Sequence, residues 1–147
     1  MRHRLLQLSC AVACLAFVVQ MATPSRHAQA ADDAKPYKII DGKVDIHTYN
    51  GYRRYGESCM RCHGPDGAGS SYAPALTDSL THLTQDQFAE IVVNGRKNVT
   101  TSADNVMPAF GTTEDVVTYL DDIYAYLKAR SDGALGRGRP QRMDDNG

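Results

Sequence analysis

Two cysteines two residues apart with a histidine directly behind them, Cys59-Met60-Arg61-Cys62-His63, form the stretch of this chain best suited to chemistry. Thiols at that spacing have three common uses. They add across the two vinyl groups of a haem whose iron the histidine ligates, they form a thioredoxin-like redox pair, or they supply half of a zinc site. On one helical turn the two sulfurs can reach neighbouring edges of a porphyrin, and the next side chain then points at the ring centre. The redox pair calls for a βαβ setting that the pattern lacks, and zinc calls for two further ligands that only scattered histidines could provide. The spacing therefore predicts covalent attachment of a c-type haem at Cys59 and Cys62, with His63 on the iron.

An iron held by one histidine takes a second ligand or stays open. Val106-Met107-Pro108-Ala109-Phe110 offers a methionine stiffened by a following proline at the end of a polar loop, well downstream of the cysteines. Of the other methionines, Met1 and Met21 lie in a leader, Met60 inside the attachment loop and Met143 in a polar tail. Met107 is thus the expected second ligand, with His47 and His82 as rivals. An open position, which a haem enzyme or gas sensor with a labile sixth ligand would need, is the alternative.

The elements around these residues follow from pattern. Arg2 and Arg4, the apolar run from Leu5 to Val19, and Ala28-Gln29-Ala30 describe a secretory signal peptide over residues 1–30, cleaved after Ala30. Its apolar run is short for a transmembrane helix, so the mature chain has no expected membrane span and the expected location is the periplasm. Cys10 and Cys14 would leave with it, so Cys59 and Cys62 would be the last of the 4 cysteines. All 17 acidic side chains follow residue 30, whereas Arg2, Arg4 and Arg26 are among the 16 basic ones, so the exported chain is net acidic. That balance argues against nucleic acid as a partner.

Residues 31–44 show no sustained period and read as an extended N-terminal segment. A first helix is expected from Asp45, its cap, to Cys62, with Gly51, Tyr55 and Cys59 on one face. A glycine in mid-helix suggests another element crossing close by. Gly64 to Ser71 is a dense turn cluster, ending in Tyr72-Ala73-Pro74-Ala75-Leu76. Thr84 and Gln87 form a capping box for a helix carrying Phe88, Ile91 and Val92, which ends near Asn94-Gly95. Arg96 to Asn105 reads as polar loop. A last helix from Thr112 or Thr113 to Arg130 carries Val116, Leu120, Ile123 and Leu127, and Tyr126 is a plausible partner for Gly51. Residues 131–147 form a Gly/Arg-containing tail, read either as disordered or as touching a partner or a haem propionate.

Gly51, Tyr55, the Cys59 to His63 run, Pro74, Met107-Pro108 and the helix carrying Tyr126-Leu127 stand in the order that resembles class I c-type cytochromes. The resemblance covers roughly residues 44–130. It implies an all-α fold, a small class I cytochrome c domain over residues 45–130 wrapped around one covalently attached haem c. It implies His63 and Met107 as axial ligands, and a Pro74 carbonyl that supports the other ring nitrogen of His63. Arg53-Arg54-Tyr55, Ala73 to Leu80, Asn94 to Asn98, Asp104 to Pro108 and the stretch from Tyr119 to Pro140 are similar to the cytochromes that accept electrons from pyrroloquinoline-quinone (PQQ) methanol dehydrogenases, nearest to the partner of the lanthanide-type enzyme. This implies a monomeric electron carrier with no catalytic residue, reduced by a PQQ-dependent alcohol or methanol dehydrogenase. A downstream cytochrome c or terminal oxidase would reoxidise it. A permanent haem subunit of another periplasmic dehydrogenase is the further alternative.

Overall fold

Asp45 opens the first helix by accepting a hydrogen bond from the Thr48 backbone N–H at 2.9 Å, a short acid satisfying a helix-end donor. The computed structural model describes residues 34–99 and 104–144, and in it this helix, α1, spans Ile46–Ser58. The leader read over residues 1–30 lies outside the described residues. The helix does not run on to Cys62 as its pattern suggests. Cys62 N–H reaches back three residues to the Cys59 carbonyl at 3.1 Å, the turn tightens, and a separate single turn, α2, covers Met60–His63.

Upstream, β1 (Ile39–Ile40) and β2 (Lys43–Val44) pair antiparallel, where the sequence reads as an unpaired extended segment. Asp41 and Gly42 both take positive φ, 50° and 76°, which is the mirror-image turn that an Asp-Gly pair favours. That dipeptide was the signal for the hairpin. Beyond the site loop come α3 (Leu76–Ser79) and α4 (Gln85–Asn94), the latter opened by the reciprocal Thr84–Gln87 capping box. The stretch read as polar loop is a hairpin, β3 (Arg96–Val99) with β4 (Asp104–Met107), in a register that sets Arg96 opposite Met107. The last helical region bends at Tyr119 into α5 (Glu114–Thr118) and α6 (Leu120–Ser131), and the Arg54 guanidinium sits 4.6 Å from the Tyr119 ring centre at that bend. Among the described residues no helix is long and apolar enough to cross a membrane.

The most extensive packing is between α1 and α6. Gly51 meets not Tyr126 but the backbone of the other helix: a side-chain carbon at Gly51 would stand 1.8 Å from the Asp122 carbonyl oxygen and 2.9 Å from the Ile123 nitrogen. The helices cross too closely for a ring to fit between them. Tyr126 lies a turn further along, fully buried, with its ring centre 5.6 Å from those of Tyr52 and Tyr55. Val116, Ile123 and Leu127 from the final helices, with Tyr55, Leu80 and Val44, complete the buried core.

The tail docks. Leu135 is buried, Met143 N–H donates to the Val44 carbonyl, and β5 (Gln141–Arg142) adds to β2 in parallel. Arg137 and the Gly138 N–H both hold the Asp66 carboxylate, and Arg139 donates to the Tyr49 hydroxyl at 2.6 Å. Asp132, one residue past α6, takes Lys128 at 2.6 Å, Lys35 at 2.7 Å and the Tyr37 hydroxyl at 2.9 Å, so it ties the N-terminal segment to the final helix. Its partial burial opposes its charge, but those hydrogen bonds, led by Lys128, outweigh it and bring the carboxyl from 3.8 down to about 2.

Gly51→Ala is expected to lower stability by at least about 2 kcal/mol in denaturant unfolding, because the backbone clash outweighs the ~1 kcal/mol that alanine gains in helix propensity. Asp132→Asn should cost about 1 kcal/mol at neutral pH. A carboxyl with a depressed pKa stabilises the fold above its ordinary value and loses that contribution as pH falls, so the gap between Asp132→Asn and the parent should close between 3.8 and about 2. Unfolding curves across that pH range check this.

Candidate functional site

The end of α1, the turn α2, the loop after it, α4 and the β3–β4 hairpin surround a cavity of about 460 Å³, within the ~300–1,000 Å³ common for ligand sites. Cys59, Cys62, His63 and Met107 line it. Leu76, Leu83, Phe88, Val92, Phe110 and Leu127 make the greater part of its wall apolar. The structure thus gathers every residue read from the sequence as a haem ligand or attachment point, and the Pro74 backbone with them. The rival ligands fall elsewhere. His47 sits beside Asp122 at 3.1 Å, and neither it nor exposed His82 is part of the lining. Met107 is the one methionine among the described lining residues.

His63 is buried, and its Nδ1 lies 2.9 Å from the Pro74 carbonyl oxygen. A carbonyl can only accept, so Nδ1 carries a proton, and in the neutral ring this tautomer leaves the Nε2 lone pair for a ligand. The loop between them is built tightly. Gly64 ends α2 at φ 72°, and a side chain there would run into the Gly69 carbonyl at 2.2 Å. Gly69 N–H closes on the His63 carbonyl at 2.8 Å, and the Ser70 hydroxyl donates to the Cys62 carbonyl.

Tyr55, one turn before Cys59, clamps this loop from below. Its hydroxyl donates to the Gly64 carbonyl and accepts from the Gly67 N–H at 3.0 Å. Burial pushes that phenol up to about 12. The sequence placed Tyr55 on the right helix face without assigning this role. A tyrosine four residues before the first cysteine of the pair, with a glycine-rich turn to follow, is the sequence signal for it, since a buried phenol needs a partner.

Met107 is held from the other side. Gly95, at φ 73°, lets the chain leave α4 so close to the hairpin end that a side chain would stand 2.7 Å from the Met107 carbonyl oxygen. Phe110 and Gly111 N–H groups then bond the Val92 and Val93 carbonyls at 2.9 and 3.1 Å, which seats the Met107 to Phe110 segment on the end of α4.

The electrostatics separate the candidate chemistries. Cys59 and Cys62 are free thiols, and burial, with a smaller effect from Cys62, pushes Cys59 up to about 11. A redox or nucleophilic cysteine needs the opposite, a stabilised thiolate. Among the described residues no cluster of three or more His, Cys, Asp or Glu side chains could hold a metal ion, which leaves a zinc site without its ligand set. Two thiols, an imidazole and a thioether around an apolar cavity do fit a porphyrin iron, whose ring offers apolar surface for the walls to pack against.

Comparison with known proteins agrees. Residues 48–127 match the family model described as cytochrome C oxidase, cbb3-type, subunit III. Cytochrome c-553I of Paracoccus denitrificans is 53% identical over 116 residues, covering 78% of this chain and 51% of that protein, so the chain spans about half of that relative's length. Cytochrome c-555 of Methylococcus capsulatus is 41% identical over 100 residues, 67% of this chain and 75% of that one. The crystal structure of the c-type cytochrome XoxG from Methylobacterium extorquens AM1 aligns with a TM-score of 0.67 at 50% identity, covering 74% of this chain and 67% of that one.

Replacing Tyr55 by phenylalanine is expected to cost about 1–3 kcal/mol, because it strands the buried Gly64 carbonyl and Gly67 N–H without filling their places. Denaturant unfolding measures the loss, and an alkaline spectrophotometric titration should lose the phenol that ionises at about 12.

Proposed function

Given that the chain belongs to the c-type cytochrome family and has its small all-α class I fold, we propose that it is a monohaem electron carrier of the periplasm. The observation that carries this reading is the apolar cavity on which Cys59, Cys62, His63 and Met107 converge. Cys59 and Cys62 would hold the ring covalently, and His63 and Met107 would hold its iron. The haem, once attached, supplies the one-electron chemistry. The protein's part is to fix the two axial side chains and keep water from them.

His63 is oriented by the Pro74 carbonyl, which selects the tautomer able to ligate and makes Nε2 a stronger donor. Met107 would give the iron a thioether ligand besides the histidine, a pairing that favours the reduced state and so suits an electron acceptor. The tight loop and hairpin limit how far either side chain moves when the charge on the iron changes, which favours rapid exchange.

For the donor, we propose a PQQ-dependent methanol or alcohol dehydrogenase, on the strength of the residue stretches similar to the cytochromes that serve those enzymes. The acceptor would be a downstream cytochrome c or a terminal oxidase. A carrier must leave its partner quickly, so the interface should be small, on the order of 1,200 Å² or less, and the protein a monomer between encounters.

The test begins with a reduced-minus-oxidised spectrum of the purified protein, which should be that of one low-spin haem c per chain. Ferrous protein should exclude carbon monoxide while Met107 is in place. Rapid mixing with a substrate-reduced PQQ dehydrogenase should then reduce it in a fast, saturable phase. Ready carbon monoxide binding would overturn the carrier reading, and failure of reduction by such dehydrogenases would overturn the donor.

A further inference from the structure

Among the described residues that line the cavity, one side chain carries a fixed charge, Arg96. It opens β3 directly opposite Met107, and opposed residues of an antiparallel pair project from the same face, so the two side chains share a side of the hairpin. Among the described residues Arg54 pairs with Glu57 and Asp115, and Arg130 and Arg137 with Asp66, whereas no carboxylate pairs with Arg53, Arg61, Arg96 or Arg142, and of these four Arg96 is the one in the described lining. Arg139, which the sequence offered with Arg137 for a haem propionate, is spent on Tyr49.

We propose that Arg96 holds a haem propionate at the edge of the cavity and, through that ion pair, sets the balance between ferrous and ferric iron. The proposal rests on the reading that this cavity carries haem c. A porphyrin brings two carboxylates to an otherwise apolar and hydroxyl-bearing wall, and a carboxylate drawn from water needs a partner. A guanidinium fits a carboxylate through two parallel hydrogen bonds and cannot lose its proton. The Gly95 turn, with its backbone against Met107 and Ala109, fixes the point from which Arg96 reaches.

The sign of the effect follows from charge. An unpaired propionate near the iron stabilises the ferric state, and a guanidinium beside it cancels that field, so Arg96 favours the ferrous state. Lys97, next along the strand, is exposed like Arg96 but outside the described lining, and it provides a control that loses the same charge from a different place.

The experiment is spectroelectrochemical titration of the haem-loaded parent and of Arg96→Gln, Arg96→Lys and Lys97→Gln. At a fixed applied potential, the ferrous-to-ferric ratio of Arg96→Gln should fall by roughly threefold to tenfold, tenfold being about 59 mV for a one-electron couple. Arg96→Lys should stay near the parent, and Lys97→Gln should shift far less than Arg96→Gln. An unchanged ratio in Arg96→Gln with the parent's haem spectrum, or an equal shift in Lys97→Gln, would overturn the proposal and leave the carrier reading standing. A parent protein without a haem c spectrum would overturn both.

Discussion

The contact that the rest of the structure leans on is backbone against backbone, Gly51 of α1 upon Asp122 and Ile123 of α6. Two helices can cross that tightly only where one has no side chain. Once they do, the residues a turn away on each side are brought into register: Tyr55 and Tyr126 meet in the core, and Tyr55 is left with its hydroxyl aimed at the loop that follows His63. A contact remote in sequence thereby reaches the cavity through one buried ring. Hydrophobic burial supplies most of the free energy of this packing, but the glycine sets its geometry.

The cavity is walled by segments with little regular structure of their own, and each is tied down by a few directed bonds. The loop from Gly64 to Pro74 is held by Tyr55, by the Ser70 hydroxyl and by the Pro74 carbonyl on His63. Asp66, at positive φ, gathers Arg130, Arg137 and the Gly138 N–H, so the tail braces the same loop from outside. On the far side the hairpin and the Gly95 turn carry Met107 and Arg96 together. Such bracing would suit the proposed carrier role, because little rearrangement on a change of oxidation state leaves little to slow the transfer.

Charge is distributed with the same economy. Where acids lie near the core they are paired, Asp66 with arginines and Asp132 with Lys128, Lys35 and Tyr37, and these pairs join segments distant in the chain. Among the described residues of the cavity lining, by contrast, the one side chain with a fixed charge is Arg96.

Local chemistry made much of this legible in the sequence alone. The Cys59 to His63 spacing, the Asp45 cap, the Thr84–Gln87 capping box and the proline after Met107 each depend on neighbours within a few residues, so they could be read directly. The Asp41-Gly42 turn was equally local and was passed over. What only the tertiary structure decided depends on partners far away in the chain. The polar stretch after Gly95 became a ladder because its two halves found each other, Gly51 met a backbone rather than a ring, the Arg-Gly tail turned to Asp66 and Tyr49, and Arg96 came to face the cavity beside Met107. Residue type and spacing determine which chemistry is on offer, while the crossing of the helices determines which side chains are brought together to perform it.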